Sequence, residues 1–232
     1  MAVRKRAERR AEVEEEILRI GRRHLAEHGA AGLSLRAVTR DLGMVSSAVY
    51  RYVANRDELL TLLVVDAYGD LADAVDAAVG ACDGGWRDRL LAATRAFRHW
   101  AVSDPARYAL LYGSPVPGYA APPERTVEPG TRVVRTVARL VGEGWVAGEL
   151  APGPTVTSAA LAEGLGDIAT ELDLPQDPGV VATAAGLWTT LVGAVGLEVF
   201  GQYGTAGPPE PDAYLELLLT RGLEAPGAVG RR

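Results

Sequence analysis

The sequence has a single cysteine, Cys82, among its 232 residues, so no disulfide can form within the chain. The absence of disulfides fits a reducing compartment, and we predict a cytoplasmic protein. The N-terminus carries arginines but no apolar signal core, which argues against secretion. Apolar residues make up 48% of the chain, enough for a sizeable core, so we predict a folded protein.

Enzyme motifs are lacking as well. The chain has no phosphate-loop pattern, no HExxH pair and no Gly-x-Ser-x-Gly turn. His24 and His28 have the spacing of a two-histidine metal site, but no further residue completes a known ligand pattern. We therefore expect packing or surface roles for both histidines, and we predict no enzyme activity, no metal and no cofactor.

Strand patterns are also absent, and apolar residues recur at helical spacing. This pattern predicts an all-α protein with a helix-turn-helix domain over residues 1–54 and a larger regulatory and dimerisation domain over residues 55–232. Helices are expected over about 11–28, 35–42, 46–53, 55–82, 86–102, from 105, 127–146, 156–172, from 178 and 212–222, with a proline-rich loop over 114–125.

Charge is divided unevenly along this acidic chain. Residues 1–60 contain 12 Lys plus Arg against 9 Asp plus Glu, a balance of +3, which leaves −9 for the remainder of a chain whose total is −6. A DNA-binding domain joined to a larger domain that does not bind DNA would show this asymmetry, because only the former replaces phosphate counterions. The terminal basic residues form either an arm that follows the DNA or a disordered end: Arg4, Lys5, Arg6, Arg9 and Arg10.

Residues 32–60 have the pattern of a helix-turn-helix. Ser34 can cap a short helix, and Gly43 can adopt the left-handed conformation that ends this helix and turns the chain. The helix from Ser46 to Val53 is then the candidate recognition helix. One of its faces offers hydroxyls and a guanidinium to phosphates and base edges: Ser46, Ser47, Tyr50 and Arg51.

A long apolar helix follows the helix-turn-helix. Asn55, with Glu58 three residues later, is a capping-box variant at its start. Arg56 lies in the first turn, where free amides and the helix dipole favour an anion, so we predict that Arg56 holds a DNA phosphate.

Four short stretches resemble the N-terminal domain of TetR-family transcriptional regulators: GLSLRAV at 32–38, DLGM at 41–44, AVYRYV at 48–53 and NRDELL at 55–60. This resemblance implies DNA contacts from two helices and the residue after them: Ser34, Leu35 through its amide, Arg36, Ser46, Ser47, Ala48, Tyr50, Tyr52 and Arg56. One position departs from the family, because Val45 stands where a serine or threonine cap is common.

The second half also resembles the family. ALLYGSP at 109–115, LW at 187–188 and LEVFG at 197–201 are similar to the C-terminal domain of one TetR subgroup, named for a Trp and a later His-Gly. Val192 stands where that histidine would be, so no role for it carries over.

An uncharged run from Val180 to Leu197 is long enough to span a membrane, but no Lys or Arg flanks it. Small residues recur at every fourth position, which would let another helix approach closely. We predict instead a homodimer interface of this helix and the final helix, with no membrane contact. Its central residues are predicted to be Gly186, Trp188, Thr190, Ala194 and Leu197.

Large aromatic residues accumulate in three helices of the larger domain, and we predict that they line a pocket for an apolar or aromatic effector: Phe97, Trp100, Tyr108, Tyr112 and Trp145. The resulting hypothesis is a transcriptional regulator, expected to be a repressor that such a ligand releases from a palindromic double-stranded operator. Two alternatives remain open, namely a helical ligand-binding or protein-interaction module without DNA affinity and a helical enzyme of unfamiliar type.

Overall fold

The computed structural model describes residues 2–150, 153, 155–204 and 207–223, with the side chains of residues 2–7, 46 and 47 excepted. Every regular element in these ranges is a helix, which confirms the predicted all-α class. The helices are α1 (Ala2–Gly32), α2 (Leu35–Asp41), α3 (Ser46–Val49), α4 (Arg56–Gly80), α5 (Trp86–Ser103), α6 (Pro105–Tyr112), α7 (Pro123–Val146), α8 (Ala159–Leu172), α9 (Pro178–Val199) and α10 (Pro211–Leu223).

The chain divides into two compact units. The first unit consists of residues 1–70 and 104–130, and the second of residues 71–103 and 131–232. The first unit thus includes α6 and the proline-rich segment, which the sequence analysis assigned to the larger domain. The predicted domain boundary after residue 54 stays a prediction.

The core of the first unit is built from the apolar faces of α1, α2, α3 and the start of α4. Val38, Val49 and Val53 are fully buried there, as the helical spacing of the two short helices predicts. Val116 and Tyr119 of the proline-rich segment pack against this core. These two side chains of the segment therefore cover the core of the helix-turn-helix.

Local signals place most helix ends. Ser34 Oγ accepts a hydrogen bond from the Ala37 amide at 3.4 Å, and Asn55 Oδ1 accepts one from Glu58 at 2.8 Å. The capping box at Asn55 is only half formed, because the Glu58 carboxylate accepts two hydrogen bonds from Arg125, both 2.9 Å long. Asp104 caps α6 in the same way, through a 3.1 Å bond from the Arg107 amide.

Three predicted boundaries are corrected by the structure. The first helix begins at Ala2 rather than near residue 11. Its helical conformation is interrupted at Gly29, which has φ 65°, as expected, and a short helical stretch continues to Gly32. The recognition helix is shorter than predicted, since α3 ends at Val49 and the chain continues as turns. The proline-rich loop ends earlier than predicted, because Pro123 is the first residue of α7. Proline is tolerated at this position, since the amide of the first helical residue has no hydrogen-bond partner within the helix.

In the second unit, α9 packs against α5, α8 and α10. Leu187, Leu191 and Val195 of α9 are buried within the protomer. These three side chains belong to the core of the protomer and are not available to a subunit interface. A helix with apolar residues on all sides can bury one face in the core of its protomer and still offer another face to a partner subunit.

We expect Gly43→Ala to lower the free energy of unfolding by about 1–2 kcal/mol, because Gly43 has φ 64° and a side chain is strained in that conformation. A Cβ at Gly43 would meet nothing within 4 Å, so the effect would come from the backbone alone. The matched control is Gly69→Ala inside α4, where a Cβ also meets nothing within 4 Å. This second change should stabilise by about 0.5–1 kcal/mol, and urea unfolding of both variants would measure the difference.

Candidate nucleic-acid interface

The predicted DNA-reading residues are exposed at the ends of the two short helices. Ser34 and Arg36 lie exposed at the start of α2, and Tyr50 and Arg51 lie exposed directly after α3. Arg40, which was not among the predicted contacts, has 80% of its side chain exposed. The exposed side chains of these two helix ends thus include guanidinium groups, a hydroxyl and a phenol, a combination suited to phosphates and base edges.

Other predicted DNA contacts have different surroundings. Leu35 is buried, so its side chain belongs to the core and only its amide is a candidate contact. Tyr52 is partly buried against the same core, and the guanidinium of Arg10 lies 5.7 Å from its ring centroid. Ala48 is half-buried. The side chains of Ser46 and Ser47 lie outside the described residues, as do those of Arg4, Lys5 and Arg6 of the predicted arm.

Arg56 holds the end of α1 against the start of α4. Its Nε donates to the Leu33 carbonyl at 3.0 Å, and its Nη2 donates to the carbonyls of Ala30 and Ala31 at 2.9 and 3.2 Å. Nη1 makes none of these three bonds and lies 3.8 Å from Asp57. The guanidinium therefore fixes the connection that leads into the helix-turn-helix, a role that the sequence does not reveal.

His24 and Asp41 join α1 to the end of α2. His24 is 4% exposed, and its Nε2 lies 2.9 Å from Asp41 Oδ2, which Arg23 also contacts at 2.6 Å. The bond from His24, together with the nearby Arg23, lowers the pKa of Asp41 below its usual value. His28 packs edge-on against the His24 ring. The pair has a packing role, as expected, and no group of three potential ligand residues among the described side chains could hold a metal.

The Asp41 contact should make the first unit sensitive to acid. The pKa of Asp41 is lowered on folding, so its stabilising effect is complete above the ordinary value of 3.8 and disappears as the pH falls through the lower folded value. We expect Asp41→Asn to destabilise the protein at pH 7. The difference in free energy of unfolding between variant and wild type should narrow steadily below pH about 4. Urea midpoints measured from pH 7 to 3 test this, and a constant gap would contradict it.

A partly buried network of ion pairs braces the first unit. Arg107 of α6, with 9% of its side chain exposed, contacts Asp66 at 3.1 Å and Asp70 at 2.6 Å, and Arg22 of α1 donates to Asp66 at 2.9 Å. In addition, the Tyr119 hydroxyl lies 3.1 Å from Thr61 Oγ1. The sequence does not reveal these pairs, because their partners lie dozens of residues apart and no local pattern signals them.

The predicted ligand residues fall into both units. Phe97 and Trp100 are buried in the second unit, where Phe97 meets Trp188 edge-on with ring centroids 5.7 Å apart. Tyr108 and Tyr112 belong to the first unit, and burial raises the pKa of both phenols, that of Tyr108 to about 12. Trp145, near the end of α7, is half-buried in the second unit. A single pocket lined by all five stays a prediction.

An open groove of about 600 Å³ lies between the ends of α7 and α8 in the second unit. None of the five predicted ligand residues lines it. Its walls are formed by Arg139, Gly142, Glu143, Val146, Ala147, Asp173, Leu174 and Pro175.

The outer face of α9 and α10 carries apolar and small residues. Gly186 and Leu197 of the predicted interface are exposed, Leu197 by 45%, and Phe200 and Leu217 are exposed by 46% and 57%. Trp188, Thr190 and Ala194 are half-buried. By length and composition alone α9 could also cross a membrane, but the buried core helix of a soluble protein can have the same length and composition.

An exposed, arginine-bearing helix-turn-helix on an all-helical chain defines a DNA-binding regulator. A family model described as "Tetracyclin repressor-like, C-terminal domain" matches residues 90–221, a range that contains all three C-terminal stretches singled out in the sequence. The chain belongs to the TetR family of transcriptional regulators.

Relatives cover nearly the whole chain. HTH-type transcriptional regulators of Mycobacterium tuberculosis and Mycobacterium bovis are 50% identical over 220 residues, which is 93% of this chain and 94% of theirs. The crystal structure of a regulatory protein, SCO4313, has a TM-score of 0.75 at 31% identity and covers 94% of this chain and 98% of its own. FadR from Bacillus subtilis, solved with stearoyl-CoA, has a TM-score of 0.63 at 13% identity over 90% of this chain and 97% of its own, and so shows the fold alone.

Proposed function

We propose that the protein is a homodimeric repressor in the cytoplasm that binds a palindromic operator and leaves it when a small apolar or aromatic molecule occupies the second half of the chain. The observation that carries this proposal is the exposed reading surface formed by Ser34, Arg36, Tyr50 and Arg51. Two such surfaces related by a two-fold axis would read half-sites about one helical turn, roughly 35 Å, apart.

The interface that holds the two copies is proposed to be the outer face of α9 and α10. Exposed apolar side chains on neighbouring helices favour association, and the small Gly186 allows close approach. This assignment gives the uncharged run of α9, from Val180 to Leu197, a role in a dimer rather than in a membrane.

The effector is proposed to be apolar or aromatic because Phe97, Trp100 and Trp145 gather in the second unit. Ligand pockets of helical proteins commonly lie between bundle helices. The stearoyl-CoA bound by FadR illustrates a ligand with an apolar acyl chain on this fold. A ligand that distinguishes two states of the dimer by about 1–3 kcal/mol would weaken operator binding five- to hundredfold.

Two other functions would make different demands. A catalyst needs a positioned reactive group, and the relatives are regulators by name, so we propose no enzyme activity. A protein-interaction module would tolerate loss of the reading surface. Tyr50→Ala combined with Arg51→Ala should abolish sequence-specific binding, and a double variant with unchanged function would favour the interaction module.

The decisive experiment maps the protein's binding sites across its own genome and then measures release. We expect a palindromic site near a small set of genes, bound by a dimer and released by candidate aromatic or apolar metabolites. Trp fluorescence followed in the same titration reports occupancy of the second unit. Ligands that quench this fluorescence without changing operator affinity would contradict ligand control, and the absence of any preferred site would contradict DNA reading.

Salt dependence should separate the roles of two arginines. Arg36 is exposed, so Arg36→Ala should remove a phosphate contact and reduce the slope of log affinity against log salt by about one per half-site. Arg56→Ala removes three hydrogen bonds to carbonyls and should lower the free energy of unfolding by about 2 kcal/mol. Fluorescence anisotropy with the selected operator, together with urea unfolding, measures both. If Arg56→Ala reduced the slope and left stability intact, its original phosphate role would hold.

A further inference from the structure

Val45 is the most exposed large apolar residue in the helix-turn-helix. Its relative exposure is 72%, against 47% for Tyr50, while Val49 and Val53 of the same segment are fully buried. Exposed apolar side chains are common on protein surfaces, but this one lies within the part of the chain that faces DNA in this family. Its environment in the free protein gives no packing reason for a valine.

Helix capping does not favour valine at this position either. The Val45 carbonyl accepts a 2.9 Å hydrogen bond from the Ala48 amide, which places Val45 in the capping position before α3. Serine, threonine, aspartate and asparagine stabilise this position because their side chains accept an amide hydrogen, and valine cannot. A residue that breaks a local rule at a functional surface points to a role in function.

We propose that Val45 reads the C5 methyl group of a thymine in each operator half-site. In the major groove this methyl is the apolar feature of the base edges, and apolar side chains contact it. The exposed valine precedes exposed Tyr50 and Arg51 in the same segment, so it supplies an apolar contact to a segment that also carries polar readers. The inference rests on the proposed operator binding and adds a residue that determines its sequence.

The test begins with the operator that the wild-type protein selects from random duplex DNA. Each thymine of a half-site is then replaced by deoxyuridine, which lacks only the methyl group and pairs in the same way. We expect one symmetry-related position at which this change weakens wild-type binding by roughly three- to tenfold per half-site. Val45→Ala should weaken binding to the original operator by the same factor. Deoxyuridine at that position should not weaken the binding of Val45→Ala any further.

Two further variants separate reading from folding. Val45→Ser should raise the urea midpoint, because serine can cap α3, and should still lose the preference for thymine over deoxyuridine. Val127→Ala removes a valine that is 48% exposed at the start of α7, and it should change neither affinity nor the deoxyuridine effect.

The outcomes distinguish this inference from the function on which it rests. The wild type could select an operator while the losses of binding free energy caused by Val45→Ala and by deoxyuridine are additive at every thymine position. That result would overturn the inference and leave operator binding intact. If Val45→Ala binds the thymine operator as tightly as the wild type, the inference is overturned as well. If the wild type selects no sequence, both the inference and the proposed operator binding are overturned.

Discussion

Arg98→Ala should destabilise the protein by about 3–5 kcal/mol, because it leaves a buried carboxylate without its counter-charge. The Arg98 guanidinium, with 11% of the side chain exposed, donates from Nε to Glu198 of α9 at 2.8 Å and from Nη1 to Asp212 of α10 at 2.8 Å. One side chain of α5 thus joins both helices proposed for the dimer interface. Urea unfolding followed by circular dichroism measures the loss.

Arg95 is the matched control for this prediction. It lies one turn earlier on α5 and also pairs with α10, through Glu216 at 2.6 Å, but 47% of its side chain is exposed. Arg95→Ala should therefore cost less than about 1 kcal/mol. Arg98→Lys keeps the charge but cannot reproduce the guanidinium's hydrogen bonds to both carboxylates, so we expect an intermediate loss of stability. Equal losses for Arg95→Ala and Arg98→Ala would contradict the importance of burial.

Gly186→Lys should convert the protein to a monomer and weaken operator binding by about a thousandfold or more, the usual margin between specific and non-specific binding. Gly186 is exposed on α9, and a Cβ there meets nothing within 4 Å, so a lysine fits the isolated protomer without strain. In a closely packed dimer the same lysine would bury a charge against the partner helix. Light scattering gives the mass, and anisotropy titration gives the affinity.

Gly80→Lys is the control for the dimer prediction. A Cβ at Gly80, the last residue of α4, also meets nothing within 4 Å, and a cation at a helix C-terminus is favourable. This variant should remain dimeric and bind DNA normally. A Gly186→Lys protein that stayed dimeric and kept its operator affinity would place the subunit interface elsewhere.

Much of the fold could be predicted because its signals are local. Ser34, Asn55 and Asp104 each cap a helix by accepting an amide hydrogen three residues ahead, and Gly43 turns the chain by its own backbone conformation. Such chemistry depends on a few neighbouring residues, so the sequence shows it directly.

The unpredicted features are long-range. Arg56 reaches carbonyls 23 to 26 residues earlier, and Arg107 reaches Asp66 across 41 residues. A guanidinium can satisfy a phosphate, a carboxylate or a carbonyl equally well in principle, so only the fold decides among them. The same holds for Leu191, whose apolar character suits either a protomer core or a subunit interface.

The proline-rich segment has a practical consequence for building hybrid regulators. Val116 and Tyr119 of this segment, together with Leu110 of α6, cover the core of the helix-turn-helix, although they follow it by more than fifty residues in the chain. A chimera that transplants only residues 1–54 onto another regulator would leave these covering side chains behind and expose apolar surface to water. A transferable reading module from this chain therefore has to carry residues 104–130 together with residues 1–70.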